Sequence, residues 1–282
     1  MEFIKRMNLA IEYLEENINQ KNVITEASKL AYISSSYFQR AFQIISGKTA
    51  TEYLRCRRLT KASKDLKDGK RVIDVAIDYG YQTPEAFAKA FKKMHGINPS
   101  SLRHSDVSLK AYPRISFDVS IEGNKAINYR FFKKDSFKVM GKSKRFSFKN
   151  YANFPKVMDF WKQSKKEYWF EKLYSSEDES GVMLGVSKDF DFETDSFTYM
   201  IAAERNGICP QDLYSIQIPK ANWAIFQCEC PTLDSIKSLW KHIFLEWMPG
   251  LGYEHDSKPE IEYFYSADLC EIWIPIKLGD KN

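Results

Sequence analysis

The sequence predicts two domains of different fold class: an all-α domain with two helix-turn-helix units, followed by an α+β domain. Its 282 residues exceed one typical small domain and contain enough apolar residues for two cores. Residues 1–104 hold 18 Lys and Arg against 11 Asp and Glu, a net charge of +7, whereas residues 105–282 carry a net charge of −2. The basic part favours a phosphate-bearing partner, and the acidic part favours a cationic or neutral one.

An internal repeat organises the first hundred residues. The segment 23–47 superposes on the segment 72–96 after a shift of 49 positions. The shared positions are Val23 and Val72, Ile24 and Ile73, Ala27 and Ala76, Tyr32 and Tyr81, Phe38 and Phe87, Ala41 and Ala90, Phe42 and Phe91, and Gly47 and Gly96. Each copy combines a short helix, a turn and a second helix with apolar residues four apart. This pattern predicts two helix-turn-helix units in tandem.

Capping residues set the helix boundaries that we expect. The apolar spacing predicts an opening helix over 2–18, then helices over 23–31 and 35–46. Thr49 and Glu52 have capping-box spacing and begin a helix that runs to about Leu66. In the second unit, Thr83 caps a helix over 84–94 whose first position is Pro84. Gly47 and Gly96 end the second helix of each unit, and Gly80 supplies a tight turn.

The helix that joins the two units carries a run of basic residues: Arg55, Arg57, Arg58, Lys61 and Lys64. Part of this charge can lie along a phosphate backbone. An ordinary solvated helix face explains the same pattern, so both interpretations stay open for each residue.

The second helix of each repeat is the expected reading element. On helix 35–46, burial of Phe38 and Phe42 leaves four polar residues together on the opposite face. These are Ser36, Gln39, Arg40 and Gln43. Arginine can bind guanine with two hydrogen bonds and glutamine can bind adenine in the same way, so this face suits base reading. On helix 84–94 the outward residues are Glu85, Lys89 and Lys92, of which the lysines suit phosphate contacts.

Residues 23–104 resemble the DNA-binding domain of the AraC/XylS family of bacterial transcription regulators. The residues that carry the resemblance are Ala27, Tyr37 to Phe42, Gly47, Tyr53 to Arg55, Arg58-Leu59, Val72 to Ala76, Tyr79 to Tyr81, Phe87, Phe91-Lys92, Gly96 and Asn98-Pro99. The resemblance implies seven helices, two of which enter successive major grooves. It also implies base contacts at Ser36, Gln39 and Arg40 and at Glu85, Ala86 and Lys89. The full candidate set for DNA binding is Ser35, Ser36, Gln39, Arg40, Gln43, Arg55, Glu85, Ala86, Lys89 and Lys92.

The two reading helices are predicted to be unequal. Some family members have a bulky aromatic residue at the position of Ser36, and the second helix offers only Ala86 and Ala88 beside its charged residues. Base reading is therefore expected mainly from the first unit, with anchoring from the second. Family members usually carry this domain last, whereas here it comes first, as in the Rob-like subgroup.

From Tyr112 onward the pattern changes to alternating strand-like runs. Glu122-Gly123-Asn124 predicts a hairpin, and two rounds of strand, helix, strand, strand follow. The two helices share a local signature, Phe160-Trp161-Lys162 and Leu239-Trp240-Lys241. A duplicated unit of this kind predicts a two-fold α+β domain with a ligand groove where its halves meet. The expected boundaries are 1–106 for the DNA-binding domain, 107–126 for a connecting segment and 127–282 for the α+β domain.

This second half resembles the GyrI-like effector-binding domains. The residues that carry the resemblance are Ile218-Pro219, Trp223 to Phe226, Glu246 to Pro249, Gly252-Tyr253, Pro259 to Tyr263 and Glu271 to Pro275. The resemblance implies that Glu262 faces a pocket lined by aromatic residues. Strand alternation adds that Glu262 and Trp273 share one groove if their strands pair. The candidate ligand-binding set is Glu262, Trp273, Tyr199, Trp161 and Phe264.

These features predict a transcription regulator that binds promoter DNA and senses a small hydrophobic or cationic ligand. A carboxylate beside aromatic rings attracts lipophilic cations. Two alternatives stay open for the second domain: a small-molecule hydrolase with Glu262 as general base, since some relatives of the GyrI-like fold are hydrolases, or a protein-interaction module. RNA polymerase is the further partner that we expect.

Composition limits the other function classes. The five cysteines are an odd number without a secretion signal, which favours reduced thiols in a cytoplasmic protein. Cys228 and Cys230 are too close in sequence for a usual zinc pair. Charges interrupt the apolar residues of the first helix, so no membrane span is expected there. We therefore expect no metal, cofactor or membrane association.

Overall fold

The computed structural model describes residues 2–104, 108–117, 127–147, 153–174, 182–229, 231–266 and 268–277. The predicted hairpin at Glu122 to Asn124 lies outside these residues. The chain divides into two units: Met1–Phe38 with Ala50–Val119, and Gln39–Thr49 with Ser120–Asn282. The boundary differs from the expected one, because residues 39–49 belong by their contacts to the second unit.

The first hundred residues are helical, as predicted. The helices are α1 (Glu2–Glu16), α2 (Val23–Leu30), α3 (Ser35–Ser46), α4 (Ala50–Lys67), α5 (Val72–Asp78) and α6 (Pro84–His95), followed by a 3-10 helix at Pro99–His104. Together they give the seven helices implied by the resemblance. Leu59, Val75, Phe87, Phe91 and Leu102 form part of the core of the second repeat. No helix in the described part of the chain is long and apolar enough to cross a membrane.

Local capping chemistry explains the start and end of α6. The Thr83 hydroxyl accepts a hydrogen bond from the Ala86 backbone N–H at 3.1 Å, and Pro84 occupies the first turn. Gly96 ends the helix with φ of 84°, a left-handed conformation that glycine adopts without steric cost. Gly80 has φ of 75° in the preceding turn. These predictions are confirmed.

Three of the six basic residues of α4 contact α1 or the residues directly after it. Arg57 donates two hydrogen bonds to the Glu15 carboxylate, at 2.7 and 2.8 Å, and Lys61 lies 3.3 Å from it. The Tyr53 hydroxyl donates to the same carboxylate at 2.7 Å. Arg58 donates to the Ile18 carbonyl at 2.7 Å. Arg57, Arg58 and Lys61 therefore have intramolecular partners in or directly after α1.

The second unit is built on an antiparallel sheet. Its described strands are β1 (Tyr129–Lys134), β2 (Phe137–Ser147), β3 (Met183–Asp191), β4 (Ser196–Glu204), β5 (Tyr214–Ile218), β6 (Ala221–Glu229), β7 (Glu254–His255), β8 (Glu260–Phe264) and β9 (Leu269–Lys277). Their order is β1-β6-β9-β8-β3-β4-β2-β5, and β7 pairs with β9. The predicted fold class, a helical domain followed by an α+β domain, is confirmed.

The sheet consists of two related halves joined by the pairing of β3 with β8. Each half has its own helices between its strands. These are α7 (Asn153–Ser164) and α8 (Tyr168–Tyr174) in the first half, and α9 (Leu233–His242) with α10 (Met248–Leu251) in the second, where a π-helical turn at Ile243–Trp247 joins them. A turn at residues 165–167 separates α7 from α8. The edge strands are exchanged: β1 pairs with β6 of the second half, and β5 pairs with β2 of the first.

The Glu15 network gives a stability prediction with a defined pH range. Burial alone would raise the pKa of Glu15, but the hydrogen bonds and charges of Arg57, Tyr53 and Lys61 lower it to about 2. The stabilisation is therefore present above about pH 4.5 and is lost as the pH falls towards 2. We expect Glu15→Gln to lower the free energy of unfolding at pH 7 by about 3 kcal/mol, because it leaves Arg57 largely buried without its anion.

Chemical denaturation between pH 7 and pH 3 measures this effect. Glu12→Gln on the same helix is the matched control. Its partner is Arg114 at 3.5 Å, and both side chains are 49% exposed, so its effect should stay below about 1 kcal/mol. Equal effects of the two substitutions would contradict the assignment.

Candidate functional site

Strand β8 places two of the ligand candidates, Glu262 and Phe264, on one face of the sheet. Alternation puts Glu260, Glu262 and Phe264 on the same side of the strand. Glu262 pairs with Gly185 on β3 and with Ile272 on β9. Directly paired residues of antiparallel strands share a face, so Glu262 lies beside a position that has no side chain.

A hydrogen-bond network connects Glu262 with one helix from each half of the sheet, α7 and α9. The Tyr199 hydroxyl donates to Glu262 Oε2 at 2.8 Å, and Trp161 Nε1 on α7 donates to the Tyr199 oxygen at 3.1 Å. Trp240 Nε1 on α9 donates to Glu262 Oε1 at 3.3 Å. The tryptophans of the two repeated helix signatures therefore converge on one carboxylate.

Gly185 makes this network sterically possible. A Cβ atom at this position would overlap the Tyr199 hydroxyl and would lie 2.9 Å from Glu262 Oε2. Because β3 runs directly beside Glu262, a side chain on Gly185 would occupy the space in which tyrosine and glutamate meet. The hydrogen bond between Tyr199 and Glu262 therefore requires a glycine at position 185.

Aromatic rings surround the carboxylate. The Trp161 ring lies 5.0 Å from the Phe264 ring at an interplanar angle of 71°, an edge-to-face contact. Trp240 is buried, whereas Glu262, Phe264 and Trp161 keep part of their surface exposed. A ligand that reaches Glu262 would therefore contact aromatic surface on two sides.

Glu262 differs from three buried glutamates in forming no direct ion pair among the described residues, although the nearby Arg40 charge acts to lower its pKa. Glu15 is paired with Arg57, Glu260 with Arg40 and Glu271 with Arg130. Among the described residues, no ion pair is formed by Glu262. The carboxylate is hydrogen-bonded but its charge is not balanced by a paired cation.

Burial raises the pKa of Glu262 above its ordinary value, while the hydrogen bonds from Tyr199 and Trp240 act in the opposite direction. Burial also raises the pKa of Tyr199 well above its usual value, and the nearby Glu262 charge adds to this. Tyr199 therefore remains a hydrogen-bond donor near neutral pH. A carboxylate held in this way gains from a cation that replaces lost water.

The structure corrects the placement of Trp273. Trp273 pairs with Ile261 on β8, so it lies on the face opposite to Glu262. There its Nε1 donates to Glu271 Oε2 at 3.0 Å and its ring lies 4.4 Å from Tyr263. Alternation along each strand was predicted correctly, but alternation does not determine which residues of two strands face each other. The other four ligand candidates lie together.

Sequence reasoning missed two residues of the network. Trp240 is not in the candidate set, although its match with Trp161 in the repeated signature is the signal that could have identified it. Gly185 carries no recognisable motif in the sequence. Its role follows only from its pairing with Glu262.

The DNA-reading candidates differ in exposure. Ser36, Glu85, Ala86, Lys89 and Lys92 are exposed, whereas Ser35 and Gln39 are half-buried. Arg55 forms an ion pair with Glu52 and its side chain is 42% exposed. Thus α6 presents the outer face that its sequence predicts.

Two residues of α3 are not on a free outer face. The Arg40 side chain is 14% exposed and bound to Glu260, and Gln43 is 4% exposed. The expected grouping of Ser36, Gln39, Arg40 and Gln43 as an open surface is therefore wrong in this structure. The reason is that residues 39–49 belong to the second unit, a long-range packing that helical periodicity does not reveal.

A cavity of about 580 Å³ opens elsewhere in the second unit, beside α8 and residues 205–213. Its lining includes Trp169, Lys172 and Arg205. None of the residues around Glu262 belongs to it. The predicted ligand site and this cavity are therefore distinct.

Comparison with known proteins agrees with the two-part structure. A helix-turn-helix domain model matches residues 27–105, and the model of the GyrI-like small molecule binding domain matches residues 127–277. The regulatory protein SoxS of Salmonella typhimurium is 35% identical over 95 residues, which are 33% of this chain and 89% of SoxS. The chain belongs to the AraC/XylS family and carries a GyrI-like domain. This AraC-family protein is a DNA-binding transcription regulator with a small-molecule-binding domain.

One relative of this AraC-family regulator matches almost its full length. The right origin-binding protein of Escherichia coli is 21% identical over 287 aligned positions, which cover 94% of this chain and 96% of that protein. Among solved structures, a bacterial transcription regulation protein from Staphylococcus aureus MU50 covers 54% of this chain and 100% of its own, with 16% identity and a TM-score of 0.44.

The Tyr199 hydrogen bond gives a prediction for the titration of Glu262. Because this bond lowers the pKa of Glu262 against the effect of burial, we expect Tyr199→Phe to raise that pKa further. A ¹³C NMR titration of the glutamate carboxyl signals measures it, with the Glu262 signal identified by its loss in Glu262→Gln.

Tyr263→Phe removes a hydroxyl on the opposite face of the same strand and serves as the control. It should leave the Glu262 titration unchanged. An unchanged Glu262 pKa in Tyr199→Phe would mean that the hydroxyl does not stabilise the carboxylate.

Proposed function

We propose that this transcription regulator responds to a lipophilic cation that binds at Glu262. The observation that carries the proposal is the state of the carboxylate: it is partly exposed, lies among Trp161, Trp240 and Phe264, and has no ion pair within the described residues. A cation would supply the missing charge, and the rings would contact its apolar surface.

Two attractions would act on a cation at this partly buried site: one from the aromatic rings and one from the Glu262 carboxylate. Aromatic faces attract cations by about 0.5 to 2 kcal/mol per interaction, more when water is excluded. A carboxylate with a pKa raised by burial gains further when a cation approaches, because its charged form becomes favourable again. An amphiphilic cation therefore fits better than a neutral compound of the same size.

The DNA-binding function is assigned to the reading helices. Ser36 and Gln39 on α3 are the residues that we propose for base contacts, together with Arg40 when it is free. Lys89 and Lys92 on the exposed face of α6 are proposed for phosphate contacts. RNA polymerase as a partner, a cytoplasmic location, and the alternative roles of the second domain as a hydrolase or a protein-interaction module stay predictions.

Glu262→Gln tests the effector class. Glutamine keeps the size of the side chain and removes its charge, so affinity for tetraphenylphosphonium should fall by at least about tenfold. Quenching of tryptophan fluorescence measures binding, since Trp161 and Trp240 contact the network.

Two controls separate charge from shape. Glu171→Gln changes an exposed glutamate of α8 and should leave the affinity unchanged. Neutral triphenylphosphine oxide should respond little to Glu262→Gln. Equal loss of affinity for the cation and the neutral compound would argue against a charge-based site.

Lys89→Ala tests the anchoring role of α6. We expect weaker binding to all DNA sequences and a salt dependence smaller by about one ionic contact. Fluorescence anisotropy at several salt concentrations, on a fragment selected from a random library and on an unrelated fragment, measures both. Lys29→Ala, an exposed lysine of α2 paired with Glu26, is the control. A change of sequence preference in Lys89→Ala would instead assign this residue to base reading.

A further inference from the structure

A second glutamate of β8, Glu260, is already paired with a cation, the guanidinium of Arg40 in the same chain. Arg40 Nε donates to Glu260 Oε1 at 2.9 Å, and its Nη2 donates to Oε2 at 2.6 Å. The guanidinium thus binds both carboxylate oxygens, the geometry that gives the strongest arginine–carboxylate pairs. Glu260 has no exposed side-chain surface.

Three aromatic rings surround the Arg40 guanidinium. Its Cζ atom lies 4.8 Å from the ring centre of Phe190, 5.4 Å from that of Trp240 and 5.9 Å from that of Phe244. All three distances are within the range of cation–π attraction. A carboxylate combined with three rings is a binding site for a planar cation.

This position adjoins the Glu262 site. Trp240 contacts the Arg40 guanidinium with its ring and donates its Nε1 hydrogen to Glu262 Oε1. Glu260 and Glu262 lie on the same face of β8, two residues apart. A ligand bound at Glu262 would therefore be separated from Arg40 by a single side chain, that of Trp240.

Glu260 requires a cationic partner. Burial alone would raise its pKa, yet the charge and hydrogen bonds of Arg40, together with the neighbouring His255, lower it to about 2. His255 Nδ1 accepts a hydrogen bond from the Ser257 N–H at 3.0 Å, so the ring proton is on Nε2, which lies 3.4 Å from Glu260 Oε1. Without Arg40, His255 would be the one remaining ion-pair partner of this fully buried carboxylate within the described residues.

Residues 39–49 are held in place by further contacts within the second unit. Arg40 Nη1 donates to Gln43 Oε1 at 2.8 Å. At the end of the segment, the Thr49 hydroxyl donates to the Asp195 carboxylate in the turn between β3 and β4. The arginine is thus fixed on a segment that the second unit retains at both ends.

We propose that Glu260, Phe190, Trp240 and Phe244 form a guanidinium-binding subsite, occupied by Arg40 as an internal ligand that an effector with an amidinium or guanidinium group displaces. The donors that bind Glu260 are the ones with which arginine binds the O6 and N7 atoms of guanine. Arg40 therefore binds either Glu260 or DNA. A cation that replaces it raises DNA affinity, and DNA raises the affinity for the cation by the same factor. This inference rests on the proposed function, since it assumes that Arg40 reads DNA.

The first test measures occupancy of the subsite in the full chain. Benzamidinium is the probe and neutral benzamide its control. Arg40→Ala empties the subsite, so benzamidinium affinity should rise by about tenfold or more, and Arg40→Ala combined with Glu260→Gln should abolish that gain. Arg71→Ala, which removes an exposed arginine paired with Asp74, should have no effect. Unchanged benzamidinium affinity in Arg40→Ala would overturn the proposal.

The second test measures the link to DNA, on a fragment selected in vitro from a random library. Benzamidinium should raise the DNA affinity of the wild-type chain by about five- to tenfold and should have no effect on Glu260→Gln. Asp195→Asn weakens the Thr49 contact without changing either glutamate, so it should raise DNA affinity in the absence of the probe. The Asp195→Asn variant therefore tests the link to DNA even if Glu260→Gln fails to fold. DNA affinity unaffected by both the probe and Asp195→Asn would overturn the proposal.

Failure of this inference is distinguishable from failure of the proposed function. Tetraphenylphosphonium carries no hydrogen-bond donors, so it cannot replace the two hydrogen bonds of Arg40 to Glu260, and its binding tests the Glu262 site. If its binding depends on Glu262 while benzamidinium is insensitive to Arg40, the effector site stands and the internal-ligand proposal is wrong. If tetraphenylphosphonium binding is independent of Glu262, the proposed function is wrong, whatever benzamidinium does.

Discussion

The pairing of β3 with β8 is the interaction on which the second unit depends. It joins β6, β9 and β8 of one half to β3, β4 and β2 of the other. Its register places Gly185 directly opposite Glu262 and so leaves the space that the Tyr199 hydroxyl fills. A shift of one residue would turn Glu262 to the opposite face of the sheet. The hydrogen-bonded environment of Glu262 therefore depends on the pairing of β3 with β8 and not on the local sequence of β8 alone.

What could be predicted from the sequence was mainly local. Thr83 and Pro84 determine where α6 begins, because a cap acts on the N–H groups of its own first turn. The alternating runs after Tyr112 predict strands such as β4, Ser196–Glu204, since alternation is a property of the strand itself. The resemblance to known families supplied the rest of the fold and pointed to Glu262.

What could not be predicted depends on contacts that are distant in sequence. Trp273 was placed on the wrong face because the register of two strands is a property of the pair. The periodicity of α3 identified the buried side with Phe38 and Phe42 correctly. It could not show that Arg40 on the other side meets a glutamate 220 positions later. Helical spacing shows which residues share a face, but not whether that face is covered.

The exchanged edge strands have a consequence for folding during synthesis. Strand β1 is made early in the second unit, yet its partner β6 follows only after about ninety further residues, and β6 is flanked on its other side by β9, near the end of the chain. Until then, an aromatic strand segment with Tyr129, Phe131 and Phe132 has no neighbour in the sheet. Long-range pairing of this kind slows folding and leaves strand edges open to association with other chains. The strands of the first half alone thus leave β1 unpaired, and the nascent chain depends on the later strand β6 to protect it.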